Sequence, residues 1–423
     1  MPDRPGPALR SRAAALDSAA LDAAAALDAA AGGLAVDLGL YALSAVFALI
    51  TALAATLPTH HTWGWIATAG YTAAALVVVG QLATRRADVT SRAALTLATW
   101  ATTALVPLVV EAVRGQAQEE VITVEHGGER LLHTGTPYLA HDAIAALPAG
   151  DRLLAYLPYQ PGMAVFGLPR ATLGTHWWTD ARVGFAAVTA LALALAIRQL
   201  PRSPRTIRAL QVATVLPVCA LTLAVGGDDL PVLALCLLAL AYASRNRAAA
   251  AGVAVGLAGA LKLFAWPVAI VALFLPMNRR RYAIGAFGIP ILALIPAFLV
   301  DPDAAVENVV RFTLGRGLAH STAATNFPGH LIALASPAAA VALLVAAGIA
   351  IAVWLVRRPP RDARGAAAIC AAGLLTAILL MPATRFGYLL YPAAYAVWAT
   401  ALPTAAAART RSATPPVPAC TGP

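Results

Sequence analysis

Apolar stretches of about 20 residues recur along most of this 423-residue chain, and they constrain its fold more than any other feature. A helix needs about 20 apolar residues to cross the hydrocarbon core of a bilayer. Only 12% of the residues are charged, about half the proportion that is typical of soluble proteins. The sequence therefore predicts an all-α, polytopic bundle of transmembrane helices. The candidate helices are 38–58, 64–84, 93–113, 180–198, 208–226, 230–244, 282–300, 335–356, 364–381 and 386–405.

Short connectors rich in arginine indicate which side of the membrane each loop occupies. They lie at 85–92, 198–208, 245–247, 279–281 and 357–364. Positively charged connectors stay on the cytoplasmic side, so the alternate connectors should face outward. These are 59–63, 114–179, 226–229, 301–334 and 381–385. The net charge of +10 is explained by these connectors. We therefore expect membrane lipids around the protein and no nucleic-acid partner.

Residues 248–275 do not fit a single crossing, because arginine-rich connectors flank both of their ends. Twenty-eight residues, at a rise of about 1.5 Å per residue, cannot make two complete spans. We predict a short broken hairpin with its apex near LKLFAWP, where Pro267 favours the break. With this hairpin the count is about 11–12 membrane helices, and both termini are cytoplasmic.

The apex of that hairpin holds Lys262, which is the single lysine in a chain with 29 arginines. Ionisable residues at membrane depth are costly and mark candidate functional sites. A lone lysine in an apolar stretch therefore suggests a chemical role, with chance placement as the alternative.

The chain divides into three predicted parts. Residues 1–35 form an Ala-rich cytoplasmic tail without the layout of a signal peptide. Residues 36–406 form the transmembrane domain, and 407–423 form a cytoplasmic C-terminal tail. Within the domain, 114–179 is a long polar segment that we interpret as an extracytoplasmic loop. We expect the protein in the cytoplasmic membrane.

Acids and bases from five separate connectors are expected to meet on the outer face. They are Glu119, Glu120, Glu125, His126, Glu129, Arg130, Asp228, Asp229, Lys262, Arg311, Arg316, His320, His330 and Arg385. Such a convergence indicates a site.

Plainer roles remain open for several of these residues. Glu119 and Glu120 also suit a solvated helix end. Asp228 and Asp229 suit the N-terminus of the next helix, where a carboxylate meets free N–H groups and the positive end of the dipole. Arg385 precedes FGYLLYP and suits an anchor at the membrane interface.

Neither cysteines nor glycine-rich loops point to a bound cofactor. Cys219, Cys236 and Cys370 fall in apolar segments and Cys420 in the C-terminal tail, without any CxxC spacing. The cytoplasmic connectors contain no nucleotide-binding loop and no metal-binding carboxylate motif. We expect no cofactor and no metal.

The stretch EVITVEHGGERLLHTGTPY resembles the first large outer loop of family 87 glycosyltransferases. These are integral-membrane enzymes of the GT-C class, and they include actinobacterial mannosyltransferases that use polyprenyl-phosphate sugars. YLPYQPGM, the GGDDLPVLAL…GALKLFAWPV segment, FPGHLIALASP and ATRFGYLLYP extend the resemblance over residues 95–400. Two departures stand out: Glu120 lies where the family has Asp, and two additional helices precede the loop.

The resemblance implies a GT-C-like fold and an inverting transfer of mannose or another hexose or pentose. The donor would be a polyprenyl-phosphate sugar, and the acceptor a lipid or cell-envelope glycan at the outer face. A base must take the proton of the attacking hydroxyl. Glu120 is the expected base, with Glu119 as the second candidate.

The leaving phosphate gains negative charge in the transition state, so cations are expected around it. Lys262 and Arg385 are the leading candidates, with Arg311 or Arg316 in addition. Asp228 and Asp229 would bind sugar hydroxyls or orient Lys262. Tyr138 and Tyr159, from the PY and YLPY segments, would shape the pocket.

The alternative interpretation is a secondary transporter or lipid flippase. The many helices and the broken hairpin at Lys262 would suit that class. Against it, the sequence shows no two-fold internal repeat, and the polar groups crowd one face.

Overall fold

The computed structural model describes residues 28, 30–319 and 323–404. Within these ranges the chain is helical and contains no β-strand, apart from an isolated bridge between Ala324 and Thr384. The all-α class is thereby confirmed. Most of the predicted N-terminal tail, the whole C-terminal tail and His320 fall outside the described residues.

Three long helices begin the described chain: α1 is Leu34–Ala54, α2 is Pro58–Ala83 and α3 is Val89–Arg114. α1 and α2 pack closely at Gly64, where a Cβ atom would lie 2.8 Å from the carbonyl oxygen of Ala48. α3 contains a π-helical turn at Ala101–Leu105, directly before Pro107. Pro107 has no N–H to donate, so it cannot make the usual helical hydrogen bond. The wider π turn accommodates the proline, and the helix continues beyond it.

The segment after α3, predicted as a loop, is mostly helical, which corrects that expectation. It contains α4 Glu119–Thr134, α5 His141–Ala145, α6 Arg152–Ala155 and α7 Leu168–Leu173, with 3₁₀ turns at Pro161–Gly167 and Trp177–Thr179. α4 buries Val121 and Val124 and exposes His126 and Glu129. This one-sided burial fits a helix that lies on the rest of the protein.

Twelve α-helices follow in the described part of the chain. They are α8 Ala181–Ile197, α9 Pro204–Thr214, α10 Pro217–Val225, α11 Asp229–Ser244, α12 Ala248–Leu261, α13 Trp266–Leu273, α14 Arg279–Val300, α15 Pro302–Val306, α16 Pro328–Ala335, α17 Pro337–Arg357, α18 Ala363–Leu380 and α19 Leu390–Ala401. α11 forms the centre of the bundle, because each residue from Asp229 to Ala241 is buried.

Six of the described helices are long and apolar enough to cross a membrane: α1, α2, α3, α14, α17 and α18. α9 and α10 together make a seventh candidate, bent by 42°. The predicted single helix 208–226 is thus broken, because Pro217 cannot continue the hydrogen-bond ladder. α8, α11 and α12 are apolar but shorter, so full-length spans are fewer than the 11–12 membrane helices expected.

Large apolar side chains on the outside of these helices support a membrane location. Leu43 is 72% exposed, Leu299 is 80% exposed and Val356 is 67% exposed. Water would penalise such surfaces, whereas lipid covers them.

The hairpin predicted around Lys262 is present. α12 and α14 run parallel, since Gly252 faces the backbone of Tyr282, and Gly259 faces Pro290 further along both helices. α13 runs opposite to α14: the Tyr282 hydroxyl donates to the Ala269 carbonyl at 2.9 Å, while Trp266 lies beside Phe287. The chain therefore rises in α12, turns at Lys262 and returns in α13.

One arginine that we assigned to a connector lies inside the protein. Arg92 is in α3 and only 1% exposed. Its guanidinium donates to both carboxylate oxygens of Asp37 on α1, at 2.6 and 3.0 Å. Arg208 of α9 lies 2.9 Å from the same carboxylate. This network joins α1, α3 and α9.

Candidate active site

Lys262 is held between two carboxylates. Its Nζ atom donates to Asp228 Oδ2 at 2.8 Å and to Asp229 Oδ1 at 2.6 Å. Gly227, with φ at +85°, forms the turn between α10 and α11 that brings both acids to this position. Asp228 occupies the N-cap of α11 but makes no side-chain cap hydrogen bond. Asp228 therefore makes no side-chain cap, and both carboxylates accept hydrogen bonds from Lys262 instead.

Aromatic rings surround the ammonium group of Lys262. Its Nζ lies 5.0 Å from the ring centre of Tyr159, 5.4 Å from Tyr388 and 6.0 Å from Phe264. Aromatic faces attract a cation at such distances. The Tyr391 hydroxyl donates to Asp229 Oδ1 at 2.8 Å. Lys262 thus sits in a buried polar cluster with an aromatic wall.

Tyr159 reaches this cluster because the segment that contains it packs against the end of α12. Gln160 N donates to the Leu261 carbonyl at 3.1 Å. The Tyr138 hydroxyl donates to the carbonyl of Tyr159 at 2.8 Å. Tyr138 therefore fixes the backbone of Tyr159 from behind. Burial raises the pKa of Tyr159, and the neighbouring carboxylates Asp228 and Asp229 add to the effect. The phenol keeps its proton and remains a hydrogen-bond donor.

The expected base, Glu120, forms an ion pair with Arg385. Glu120 lies in the first turn of α4, where the helix dipole favours a carboxylate. The start of α4 is tied to the end of α10, since Gln118 N donates to the Val225 carbonyl at 3.1 Å. The side chain of Glu120 is 13% exposed and that of Arg385 is 34% exposed. Both remain within reach of a ligand.

Arg385 is positioned by the short bridge that precedes it. Thr325 N donates to the Thr384 carbonyl at 3.0 Å, and Thr384 N donates to the Ala323 carbonyl at 3.1 Å. The Thr325 hydroxyl accepts from Phe386 N at 3.0 Å. The loop before α16 and the chain before α19 are thereby fixed to each other on both sides of Arg385.

Three cavities meet at the Glu120–Arg385 pair, and these two residues line all three of them. The first has a volume of about 390 Å³ and the second about 350 Å³, and both are also lined by Lys262, Tyr159 and Tyr388. The third has a volume of about 740 Å³ and is not lined by those three residues. The first and third cavities are both lined by Glu119.

Two of the predicted site residues lie apart from these cavities. Arg316 is exposed and lines none of the three, although its neighbour Gly315 lines the first. Tyr138 also lines none of them and acts through the backbone of Tyr159. A contact between Arg316 and a substrate stays a prediction.

The first cavity is also lined by residues for which the sequence analysis proposed no specific role. His330 Nδ1 lies 2.8 Å from the carbonyl oxygen of Pro382, an acceptor, so Nδ1 carries the proton. Tyr156 and Phe312 stack at 4.3 Å along the same wall. His330 was expected on the outer face because it lies in the 301–334 connector, but the bridge between Ala324 and Thr384, which joins this connector to the chain before Arg385, leaves no sequence signal.

Tyr156 joins the segment after α3 to the segment after α14 through Glu307, which is fully buried. The Tyr156 hydroxyl donates to Glu307 Oε1 at 2.7 Å and accepts from Leu318 N at 2.7 Å. Burial raises the pKa of Tyr156 to about 12, and Glu307 adds to the effect, so the hydroxyl stays protonated. Asn308 Oδ1 accepts from Leu157 N at 2.9 Å. Tyr156 lines the first cavity, so these contacts hold part of its wall in place.

Comparison with known proteins identifies the family. The profile of glycosyltransferase family 87 matches residues 156–382, which is more than half of the chain. The chain belongs to glycosyltransferase family 87. No curated protein and no solved structure gave a match.

Membership of glycosyltransferase family 87 supports a membrane glycosyltransferase over a transporter. The matched residues include Tyr159, both aspartates and Lys262, whereas Glu120 precedes the match and Arg385 follows it. The assignment of Glu120 and Arg385 therefore depends on their geometry around the shared cavities.

Proposed function

We propose that this family 87 glycosyltransferase transfers a sugar, mannose or another hexose or pentose, from a polyprenyl-phosphate donor to a hydroxyl of a lipid or cell-envelope glycan. The reaction takes place on the outer face of the cytoplasmic membrane and inverts the anomeric carbon. Both termini then lie in the cytoplasm. The observation that carries the proposal is the meeting of one carboxylate, Glu120, with two cations, Lys262 and Arg385, in two cavities.

Glu120 acts as the general base. It takes the proton of the acceptor hydroxyl as that oxygen forms its bond to the anomeric carbon. The bond between that carbon and the phosphate oxygen breaks, and polyprenyl phosphate leaves with the electron pair. Glu119 lines the first and the third cavity and is the second candidate for the base.

Arg385 and Lys262 stabilise the charge that develops on the leaving phosphate. The guanidinium presents a fork that suits two phosphate oxygens, whereas the ammonium acts as a point charge. Lys262 is already paired with Asp228 and Asp229. The Lys262 ammonium is therefore held beside two carboxylates that can accept hydrogen bonds from sugar hydroxyls. This combination suits a sugar phosphate.

The ion pair between Glu120 and Arg385 has a consequence for substrate binding. A donor phosphate competes with Glu120 for the same guanidinium. As Arg385 turns to the phosphate, the carboxylate of Glu120 becomes available for the acceptor proton. Donor binding thereby prepares the base.

The proposal is tested with the purified protein, radiolabelled polyprenyl-phosphate mannose and a membrane lipid extract. We expect a labelled lipid or polymer whose new linkage has the inverted anomeric configuration. Other polyprenyl-phosphate sugars serve as alternative donors in parallel reactions. Absence of transfer from all of them, together with solute uptake into proteoliposomes, would overturn the proposal in favour of a transporter.

A further inference from the structure

Arg182, in the first turn of α8, is a fully buried arginine that the proposed reaction does not use. It is 0% exposed. Its guanidinium donates to both carboxylate oxygens of Asp180, at 2.8 and 2.7 Å. Apolar residues of similar volume often stabilise a protein more than a buried ion pair does. The Asp180 partner therefore explains how the charge is accommodated, whereas the need for an arginine calls for another reason.

Two further hydrogen bonds of Arg182 reach two separate segments of the chain. Nη1 donates to the Ala224 carbonyl at 3.2 Å, and Nη2 donates to the Gln116 carbonyl at 2.8 Å. Ala224 lies in the last turn of α10, directly before the turn that carries the two aspartates of the lysine cluster. Gln116 lies in the connector that leads into α4 and to Glu120. One planar guanidinium thus joins the segment of the base to the segment of the lysine partners.

These two segments also contact each other directly beside that guanidinium. Gln118 N donates to the Val225 carbonyl at 3.1 Å. A Cβ atom on Gly226 would lie 3.0 Å from Gln118 Oε1 and 3.9 Å from Glu120 Oε2. The carboxylate of Glu120 therefore lies close to the α10–α11 turn, and its position depends on the spacing between the two segments.

α8 supports the same turn at a second point. Phe185 is buried and follows Arg182 by one helical turn. A Cβ atom on Gly227 would lie 2.7 Å from Phe185 Cδ2, so the turn packs directly on this ring. α8 thus holds the turn through Phe185, while Arg182 extends from the same helix to the connector before α4.

We infer that Arg182 is a positioning residue that sets the separation between Glu120 and the Lys262 cluster. It lines none of the three cavities, so it acts through the backbone of Gln116 and Ala224. The inference rests on the proposed function, in which Glu120 must reach the attacking hydroxyl while Lys262 holds the phosphate. A misplacement of about 1 Å can slow such a reaction about 100-fold.

Arg182→Lys tests this role with a change that keeps the charge. The ammonium can pair with Asp180 but lacks the planar fork that spans both carbonyls. We expect kcat in the transfer assay to fall about 10- to 100-fold, with the KM for polyprenyl-phosphate mannose little changed. Native kcat, or an increase in KM without a fall in kcat, would overturn the inference.

Arg92→Lys is the matched control for a general loss of stability. Arg92 is 1% exposed, pairs with both oxygens of Asp37 and donates to the carbonyls of Gly32 and Gly33 at 3.2 and 3.4 Å. It lies near the start of α3, about 30 Å along the helix from the end that leads to Gln116. We expect a similar fall in Tm for the two variants, with kcat kept in Arg92→Lys. Equal losses of kcat would overturn the inference.

A neutral pair guards against a folding defect in Arg182→Lys. Arg182→Gln with Asp180→Asn leaves no unpaired charge, and the shorter amide cannot reach both carbonyls. We expect the same loss of kcat as in Arg182→Lys. Native kcat in this double variant would contradict the positioning role.

A double-mutant cycle separates positioning of the base from other effects. In Glu120→Gln the base is absent, so the addition of Arg182→Lys should lower kcat little further. A purely structural defect would add to the loss of the base. A further fall of about 10-fold or more, the loss expected for Arg182→Lys alone, would therefore overturn the inference.

Amide hydrogen exchange tests the same contact without turnover. In Arg182→Lys we expect faster exchange in residues 115–122 and 224–229 and native exchange in 307–318, because only the first two segments lose a hydrogen bond. Native exchange in the first two segments, or faster exchange throughout the protein, would overturn the inference. If exchange changes as expected but the native protein transfers no sugar, the contact stands and the proposed function fails.

Discussion

Arg385 and Glu120 form an ion pair at the point where three cavities meet. The two residues come from chain segments that are far apart in sequence, α4 and the connector before α19. Backbone hydrogen bonds to other segments fix the chain beside each residue: Gln118 bonds to Val225 near Glu120, and Thr384 bonds to Ala323 near Arg385. The pair is therefore held in place where the three cavities meet, and a ligand in any of them could reach it.

Replacement of Arg385 tests its contact with the donor phosphate. Arg385→Gln removes the charge and the fork, and we expect kcat/KM for the donor to fall about 10- to 100-fold, because a charged hydrogen bond contributes about 1.5–3 kcal/mol. Arg385→Lys keeps the charge without the fork and should lose less. Steady-state kinetics with polyprenyl-phosphate mannose measures both. Native donor kinetics in Arg385→Gln would exclude the contact.

Lys262 is expected to stabilise the protein as well as to act in the reaction. Lys262→Met leaves Asp228 and Asp229 buried beside each other without a counter-charge. Loss of one partner of a buried ion pair costs about 3–5 kcal/mol. We therefore expect a clear fall in Tm in detergent, measured by thermal unfolding.

A triple variant separates stability from activity. Lys262→Met with Asp228→Asn and Asp229→Asn removes the unpaired charges, so it should regain much of the lost Tm while remaining inactive in transfer. A single Lys262→Met variant with native Tm would show that the two aspartates do not depend on Lys262.

The sequence predicted the helical class and the hairpin. Of the residues expected to converge, Glu120, Lys262 and Arg385 line the same cavities, whereas Arg316 lies apart from them. The lengths of the apolar segments and the positions of the arginine-rich connectors allowed these predictions. The single lysine, Lys262, marked the apex of the hairpin. The ion pairs of Lys262 with Asp228 and Asp229 were not predictable, because both acids fit a helix cap as well as they fit a lysine partner. Only the turn at Gly227 and the end of α12 decide between the two.

The contact between Tyr156 and Glu307 predicts that the segments after α3 and after α14 are sensitive to acid. Burial acts to raise the pKa of Glu307, but interactions with Tyr156, Arg311 and His141 outweigh it and lower that pKa. A carboxyl with a lowered folded pKa adds stability above its ordinary pKa of about 4.3. That stability is lost as the pH falls through the lowered value.

Amide hydrogen exchange, corrected for the intrinsic rate at each pH, measures this effect. We expect faster exchange in residues 139–157 and 307–318 as the pH falls below about 4. Glu307→Gln should exchange faster than the native protein at neutral pH and show little further change on acidification. A native protein with the same corrected exchange from acid to neutral pH would contradict the proposed contact.

Cysteine labelling tests the predicted sides of the membrane. The native Cys219, Cys236 and Cys370 are buried, so a Cys420→Ser background should be nearly silent. A membrane-impermeant maleimide should label His133→Cys in intact cells and Arg280→Cys only after permeabilisation. Labelling of His133→Cys only after permeabilisation would place α4 in the cytoplasm and end the donor assignment.

Other features of the site had no counterpart in the sequence patterns. The segment 114–179 was polar enough to look like a loop, yet packing of Val121 and Val124 makes α4 a helix. The bridge between Ala324 and Thr384 positions Arg385 and depends on two segments of ordinary composition. The 740 Å³ cavity arises from the packing of several elements, which local patterns do not encode.

The most direct test of the account compares Glu120→Gln with Glu119→Gln in the transfer assay, at saturating donor. Both changes are isosteric and lie at neighbouring positions. Because Glu120→Gln also weakens the ion pair with Arg385, Tm in detergent is measured for both variants to separate a folding effect from the loss of the base. Loss of the general base should lower kcat about 100-fold or more in Glu120→Gln, with Glu119→Gln retaining most of the native rate. Native kcat in Glu120→Gln would contradict the account and move the base to Glu119.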